Sequence, residues 1–567
     1  MDELTVQTER VDDIPLLMEQ QKRMGIADIL NEELRVHGNR GGLSVGRLTT
    51  SWLSYILSEG DHRMMAVEEW AAERLTILET LTGKEVVAKD FTDDRLADVL
   101  RLLSDNEAWR RIERRLGERT IQVYDLHEQP VRLDSTSVVV HHETGDLFQY
   151  GYSKDRRGDL PQFKVMLATL DPLGMPLATL VPAGNEADDG WYLPAIERAR
   201  AVMGQGGKLY IGDSKMSALN TRKAIAEAGD YYLTSLPRRH QGEDRLDNWL
   251  PATVGPDRMV QQVVVDRGNG PPTLWAIGYQ QHREHQVDEM TWPERVLVLF
   301  RPSLARQERQ QLDKRLAKAE CELRRLVTKR PRPTPRFADQ VAFEAVARRV
   351  MKEHRVPGLL EVTYDQLAET RHIRTYGDRP ARTEMRYQER VTVRRKPHAI
   401  RRARLQLGWR LYVTNAPTAH LEFERAILTY RDAPRIELGF RRLKGRSLGI
   451  RPIYTHRQDH TLGLVRLLTL ALRVLTLTEF VVRDKLKRLD QAIAGLYPGQ
   501  PSRRTDRPTT ERLLKAFKGI DLSLVHLEGR SLRHLTPLSV LHQRILTLLD
   551  LPATIYTHLT LEPSIPP

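Results

Sequence analysis

The order of apolar patterns between residues 130 and 236 constrains this chain more than any other feature. "QPVRLDSTSVVVHH" is rich in Val and Thr with apolar alternation, and "FKVMLATL" and "MPLATLVPA" flank the turn "DPLG" at 171–174, which predicts three antiparallel strands. "EADDGWYLPAIERARAVM" then reads as a helix, "KLYIGD" as a short buried strand, "SALNTRKAIAEAG" as a helix and "YYLTSL" as a strand. The order β-β-β-α-β-α-β predicts a mixed sheet with helices covering its faces.

The rest of the chain is organised around that core. Residues 1–125 alternate apolar helical patches with breaks such as "HGNRGGLS", which predicts a helical N-terminal domain, either a DNA-end-binding unit or an oligomerisation module. The core's first part spans 126–238. From 239 to 408 an α+β insertion interrupts it, with strand-like "RMVQQVVVD" and "RVLVLF" ahead of a charged helix. In that helix Leu312, Leu316, Ala319, Leu323 and Leu326 form a seam too short for a long coiled coil, so a helical hairpin or arm is expected. "KRPRPTPR" is a stiff basic connector, and "VRRKPHAIRRAR" (393–404) is either a phosphate-contacting surface or a solvated charge run. The core resumes at 409–485 with the strand "WRLYVTN". A C-terminal tail over 486–567 has the linker "YPGQPSRRTDRP" and short helical patches.

Composition narrows the function. With 567 residues the chain is expected to form three or four domains, and 40% hydrophobic with 29% charged residues is the balance of a folded protein. A net charge of +13 favours a polyanionic partner, since lysines and arginines gain by releasing counterions from phosphates. The single cysteine, Cys321, excludes an intramolecular disulfide framework and a cysteine-based zinc cluster, and it suits an intracellular chain. "MDELTVQTERVDDIPLL" has acids where a secretory signal needs basic and apolar runs. The most apolar segment, 461–482, is interrupted by Arg466, Arg473 and Glu479, so a core helix is expected and no membrane span.

Two aspartates stand out in the predicted sheet. Asp134 lies inside the first strand, where a charge is expensive to bury unless it is paired, and a metal ion is one such partner. Asp213 ends the central strand, at the edge where open α/β sheets place ligand sites. The plainer alternatives are a solvent-facing carboxylate for Asp134 and a helix cap for Asp213. A third carboxylate, Glu437, sits amid the basic stretch "YRDAPRIELGFRRLKGRSLGIRP", with Ile436, Phe440 and Leu443 spaced to pack its helix down. Its plain alternative is a surface ion pair with Arg441. Phosphodiester chemistry uses two hard cations, and two or three carboxylates suffice to hold magnesium or manganese.

The segments "LDSTSV", "LYIGDSKMSALNTRKAIAEAGDYYLTSLP" and "YRDAPRIELGFRRLKGRSLGIRPIYTHRQDHTLGLVRLLTLAL" resemble DDE transposases of the insertion-sequence-four superfamily. The chain looks closest to the branch named for insertion sequence sixteen-thirty-four, whose leading domain "VDDIPLL", "HGNRGGLS", "WLSYILSEGDHRM" and "DFTDDRLADVL" resemble. The resemblance covers roughly residues 5–240 and 405–485. It implies a ribonuclease-H-like mixed-sheet core whose catalytic, metal-holding triad maps onto Asp134, Asp213 and Glu437, with two divalent ions, Mg2+ or Mn2+, as cofactors. It also implies a signature of Tyr, Arg, Glu and Lys along the last helix. Tyr430, Glu437 and Lys444 match it, while Ala433 stands at the arginine position and Arg435 is the nearest substitute.

Tyr430, Arg435, Arg441 and Lys444 are accordingly expected to contact DNA. The implied partners are double-stranded DNA, as terminal inverted repeats and target, and a second copy of the chain in the DNA complex. The implied location is a prokaryotic cytoplasm, at the nucleoid. Two rival functions remain: a ribonuclease-H-fold nuclease without strand transfer, and a DNA-binding protein that has lost catalysis. Trp275 and Trp409 read as core residues rather than as holders of a flipped base, "HHETGD" (141–146) as a hairpin tip, and His456 as either a DNA contact or a helix cap.

Overall fold

The structure is a computed structural model that describes residues 5–35, 41–126, 129–204, 206–237, 246–250, 260–265, 271–327, 331–432, 434–527 and 530–561. It has two compact units. One is formed by Met1–Thr234, His285–Trp292 and Thr429–Pro567, the other by Ser235–Glu284 and Pro293–Leu428.

The first unit opens with β1 (Thr5–Arg10) and helices α1–α7, which lie between Ile14 and Tyr124. The predicted order follows: β2 (Val131–Val139), β3 (Gln162–Leu170), β4 (Met175–Leu180), α8 (Tyr192–Met203), β5 (Leu209–Gly212), α9 (Leu219–Glu227) and β6 (Tyr231–Ser235). Across the sheet the strands run β4-β3-β2-β5-β6. β2, β3 and β4 pair antiparallel, while β5 and β6 join parallel, because their connections cross over through helices. This is the mixed sheet that the order of apolar patterns predicts. β3 and β4 are buried along their whole length, as strands covered on both faces must be.

The second unit carries α10 (Leu246–Trp249), β7 (Gln261–Val265), β8 (Thr273–Val287), β9 (Met290–Phe300), α11 (Pro302–Arg325), α12 (Gln340–Glu353), β10 (Leu360–Ile373), β11 (Arg382–Arg395), α13 (Pro397–Leu405), β12 (Trp409–Thr414) and α14 (Phe423–Arg431). Its strands run β12-β9-β8-β7, and β10 pairs only with β11. The seam residues Leu312, Leu316, Ala319 and Leu323 are buried against Phe343, Ala347 and Val350 of α12, so the charged helix folds back in a hairpin. Residues 329 and 330 of the basic connector lie outside the described residues. Trp275 sits under the Arg301 guanidinium, 4.2 Å from its ring centre, and Trp409 packs on Phe300.

The chain then returns to the first unit with α15 (Pro434–Lys444), α16 (Gln458–Arg488), α17 (Thr510–Lys515), β13 (Asp521–Leu527), β14 (Arg530–Leu535) and α18 (Val540–Leu548). The tail thus contains two strands besides its helices, and β13 pairs with both β14 and β1. α16 is the central element, packed against α6 (Asp93–Leu103), β4, α15, α17 and α18. Gly463 permits its contact with α6, since a Cβ there would come within 2.0 Å of the Leu100 carbonyl oxygen. Its interrupting charges are buried but bonded: Arg466 donates to the Leu103 carbonyl at 2.7 Å and Arg473 to the Leu177 carbonyl at 3.1 Å. No helix among the described residues is long and apolar enough to cross a membrane.

Candidate active site

β2 and β5 set two carboxylates side by side. The parallel register pairs Val131 with Tyr210 and Arg132 with Ile211, and the same offset carried two residues further brings Asp134 level with Asp213. Arg132 fixes β2 at this point, because its buried guanidinium donates to Asp171 Oδ2 from Nε at 3.0 Å and from Nη2 at 2.6 Å. β5 ends at Gly212, so Asp213 projects from the strand's carboxyl end.

Each aspartate is held by its own set of donors. Asp213 Oδ1 accepts the Tyr192 hydroxyl at 2.7 Å and the Lys215 amide at 2.8 Å. Asp134 Oδ1 accepts its neighbour's amide, from Ser135, at 2.7 Å and faces the Lys154 ammonium at 3.4 Å. Burial pushes the Asp134 carboxyl above its usual range, with Lys154 opposing and the nearby Asp213 charge adding to the rise. Burial, then Asp213 and Asp134, raise the Tyr192 hydroxyl well above a normal phenol, so it stays a donor.

Lys154 is tied down on every side. Its amide donates to Ser137 Oγ at 2.9 Å, and its ammonium donates to the Ser135 carbonyl at 2.6 Å and to Ser135 Oγ at 2.9 Å. It also stands 3.5 Å from Asp188, which Lys164 holds at 2.7 Å. Burial pushes the Asp188 carboxyl up, but Lys164 and Lys154 outweigh it and leave it below the usual range. Sequence reasoning missed Lys154, Asp188 and Tyr192. Their nearness to the aspartates is made by the fold, and no local spacing signals it.

Glu437 lies in the first turn of α15, where the helix dipole favours a carboxylate, and it is exposed. Ile436, Phe440 and Leu443 are buried, and they seat α15 against β2 and α16. Among the described residues no three His, Cys, Asp or Glu side chains stand close enough to hold one ion, so the structure brings Asp134 and Asp213 together and leaves Glu437 outside that pair. The two paired carboxylates fit a hard divalent cation in ligand chemistry, and each lies near the other's charge, which such an ion would relieve.

The basic residues of α15 divide by role. Arg442 is buried and structural, bridging Glu479 of α16 and Glu511 of α17, the latter from Nε at 2.8 Å. Arg441 is exposed. Lys444 is partly buried against Asp155, 3.2 and 3.0 Å from its two carboxylate oxygens, and Arg451 reaches the same carboxylate at 2.9 Å. Burial lowers the Lys444 ammonium below its normal range, with Asp155 opposing. Tyr430 is half-buried near the end of α14, and the Arg435 side chain lies outside the described ones. His456 packs against His142 with the rings tilted, 4.5 Å between ring centres, one residue before the Arg457 cap of α16.

No curated protein matches the chain. Among solved structures it is similar to a piggyBac transposase in a synaptic complex with hairpin DNA, at 10% identity and a TM-score of 0.23, covering 48% of this chain and 60% of that one. The transposase DDE domain matches residues 127–474, more than half of the chain, and takes in Asp134, Asp213 and Glu437. The chain therefore belongs to the transposase DDE domain family.

Proposed function

We propose that this chain is the transposase of an insertion sequence in the insertion-sequence-four superfamily, nearest the branch named for insertion sequence sixteen-thirty-four. It binds terminal inverted repeats as a dimer, cleaves the transposon ends and joins the freed 3′ hydroxyls to target DNA. The observation that carries this reading is the nearness of Asp134 in β2 to Asp213 at the carboxyl end of β5, close enough for one charge to act on the other, within the family match.

In this reading Asp134 and Asp213 hold Mg2+ or Mn2+, and Glu437 is offered from α15. When bound, a pair of such ions polarises the attacking oxygen and steadies the leaving oxygen. The chain's own groups orient the site. Tyr192 and the Lys215 amide both engage Asp213 Oδ1, which fixes the carboxylate plane. Arg441 and Lys444 supply positive charge for the strand being cut, alongside Tyr430 and Arg435.

The test uses duplexes carrying the inverted repeats that flank the gene. Asp213→Asn is expected to abolish Mg2+-dependent nicking while duplex binding stays within about twofold, because the change keeps shape and removes only charge. Nicking at the wild-type rate would overturn the assignment. Joined products separate the transposase from a nuclease on the same scaffold.

A further inference from the structure

β10 and β11 form a two-stranded ribbon whose register runs without a break from Leu360 opposite Arg395 to Ile373 opposite Arg382. Its near end is anchored. Leu360, Tyr364 and Val393 are buried with Leu316, Leu323 and Phe343, and the Tyr364 ring stacks on Phe343 at 5.1 Å. The Tyr364 hydroxyl also donates to Glu389 at 2.5 Å. From Leu367 outward the helices no longer cover it, and residues 367–372 are exposed on both faces.

The register separates the two outer faces chemically. Directly opposed residues share a face, so one face carries Glu369 with Arg386 and Arg371 with Glu384. The other continues the anchored face of Leu360 and Tyr364, and it holds Ala368, Thr370, His372, Thr383, Met385 and Tyr387 without a single formal charge. Its polar groups are loosely engaged with each other: the Thr370 hydroxyl meets Met385 Sδ at 3.4 Å, and His372 Nδ1 meets Thr383 Oγ1 at 3.0 Å. At the tip Tyr376 is 86% exposed. Arg371, Arg374 and Arg379 are exposed and make no ion pair among the described residues.

We propose that this outer half of the ribbon, residues 367–388, is a DNA-docking arm. Its uncharged face enters the major groove of a duplex, and Arg374 and Arg379 at the tip engage the flanking phosphates. A two-stranded ribbon matches the groove's width. Thr hydroxyls and an imidazole suit base-edge hydrogen bonds, and the Thr and Met methyls suit the thymine methyl. The unpaired guanidiniums give the charge complementarity that a phosphate backbone demands. A protein partner fits less well, because the face lacks the aliphatic and aromatic cluster that anchors interface centres. The uncovered stretch of seven residue pairs spans roughly 20 Å. This assignment rests on the transposase reading and adds a contact surface on the second unit, separate in sequence from the three carboxylates.

The test measures binding of the full chain to a fluorescein-labelled duplex of arbitrary sequence across a NaCl series. Replacing Arg374 and Arg379 together by glutamine is expected to flatten the slope of log Kd against log salt by about 1.8, the value for two lost phosphate contacts. These side chains are exposed, so the fold is spared. In a second arm, Thr370→Cys in a Cys321→Ser background carries an iron chelate that generates hydroxyl radicals. Cleavage of the duplex near the tethered position supports the arm. Cleavage of a second chain instead would make the face an interface between copies and overturn the proposal. A steep wild-type slope shared by the glutamine variant sinks the arm alone, whereas a wild-type chain that binds no duplex sinks the transposase reading with it.

Discussion

The Lys154 ammonium stands 3.4 Å from Asp134 Oδ1 while it donates to both oxygens of Ser135. A cation fixed there already neutralises part of the charge that the Asp134 and Asp213 pair would offer to a divalent ion. The two positive charges compete for one carboxylate. Lys154→Met is therefore expected to tighten Mn2+ binding by about tenfold, equivalent to about 1.4 kcal/mol, read by electron paramagnetic resonance of the free ion. Weaker binding by the variant would mean that Lys154 assists the site.

Tyr192→Phe removes the hydroxyl on Asp213 Oδ1 and keeps the ring in its buried seat beneath the sheet. The loss of one hydrogen bond to a charged group is expected to cost about 1.5–3 kcal/mol. The informative readout is metal. With Asp213 freed to rotate, Mn2+ affinity is expected to fall several-fold, and unchanged affinity would assign Tyr192 to packing alone.

Arg442 and Arg441 are neighbours with opposite fates. Arg442→Ala leaves Glu479, itself buried, without its main partner and separates α15 from α16 and α17, so a loss of about 3–5 kcal/mol in unfolding free energy is expected. Arg441→Ala, on the exposed face, is expected to change stability by less than about 0.5 kcal/mol while weakening DNA binding. Equal stability of the two variants in urea would contradict the division of roles.

Glu113 gives a pH signature. It lies fully buried, 3.7 Å from Arg198, and burial raises its carboxyl to about 7 against the pull of Arg473 and Arg198. The folded chain then binds this proton more tightly than the unfolded chain, so the stability it lends is full below about pH 4.5 and fades as pH rises through 7. The span corresponds to roughly 3 kcal/mol. Melting temperatures of wild type and Glu113→Gln are expected to converge at pH 5 and to separate at pH 8, with the wild type lower. Parallel curves would count against it.

What the sequence reveals follows what is buried. The sheet β2 to β6, α16 and the Ile436, Phe440 and Leu443 face of α15 were all readable, because covered surfaces impose apolar periodicity. β10 and β11 were not, since their outer halves are exposed on both faces and alternate in charge instead of hydrophobicity. β1 and β13 were hidden for a related reason: a short polar segment such as "TVQTER" becomes a strand only through a distant partner. At the site Asp134 and Asp213 were found from strand context, whereas Lys154 and Tyr192 reach them through loop and helix placement that no local pattern encodes. Nothing in the local pattern separates Arg442, which α16 and α17 enclose, from the exposed Arg441 beside it.

β1 pairs residue by residue with β13, Thr5 opposite His526 and Arg10 opposite Asp521. During synthesis at roughly 5–20 residues per second, β1 must wait on the order of half a minute to two minutes for its mate to leave the ribosome. Its backbone amides stay unmatched for that whole interval, and the segment is among the last to settle. Nascent chains stalled before residue 521 should therefore show this stretch open to proteases, even where β2 to β6 have already paired.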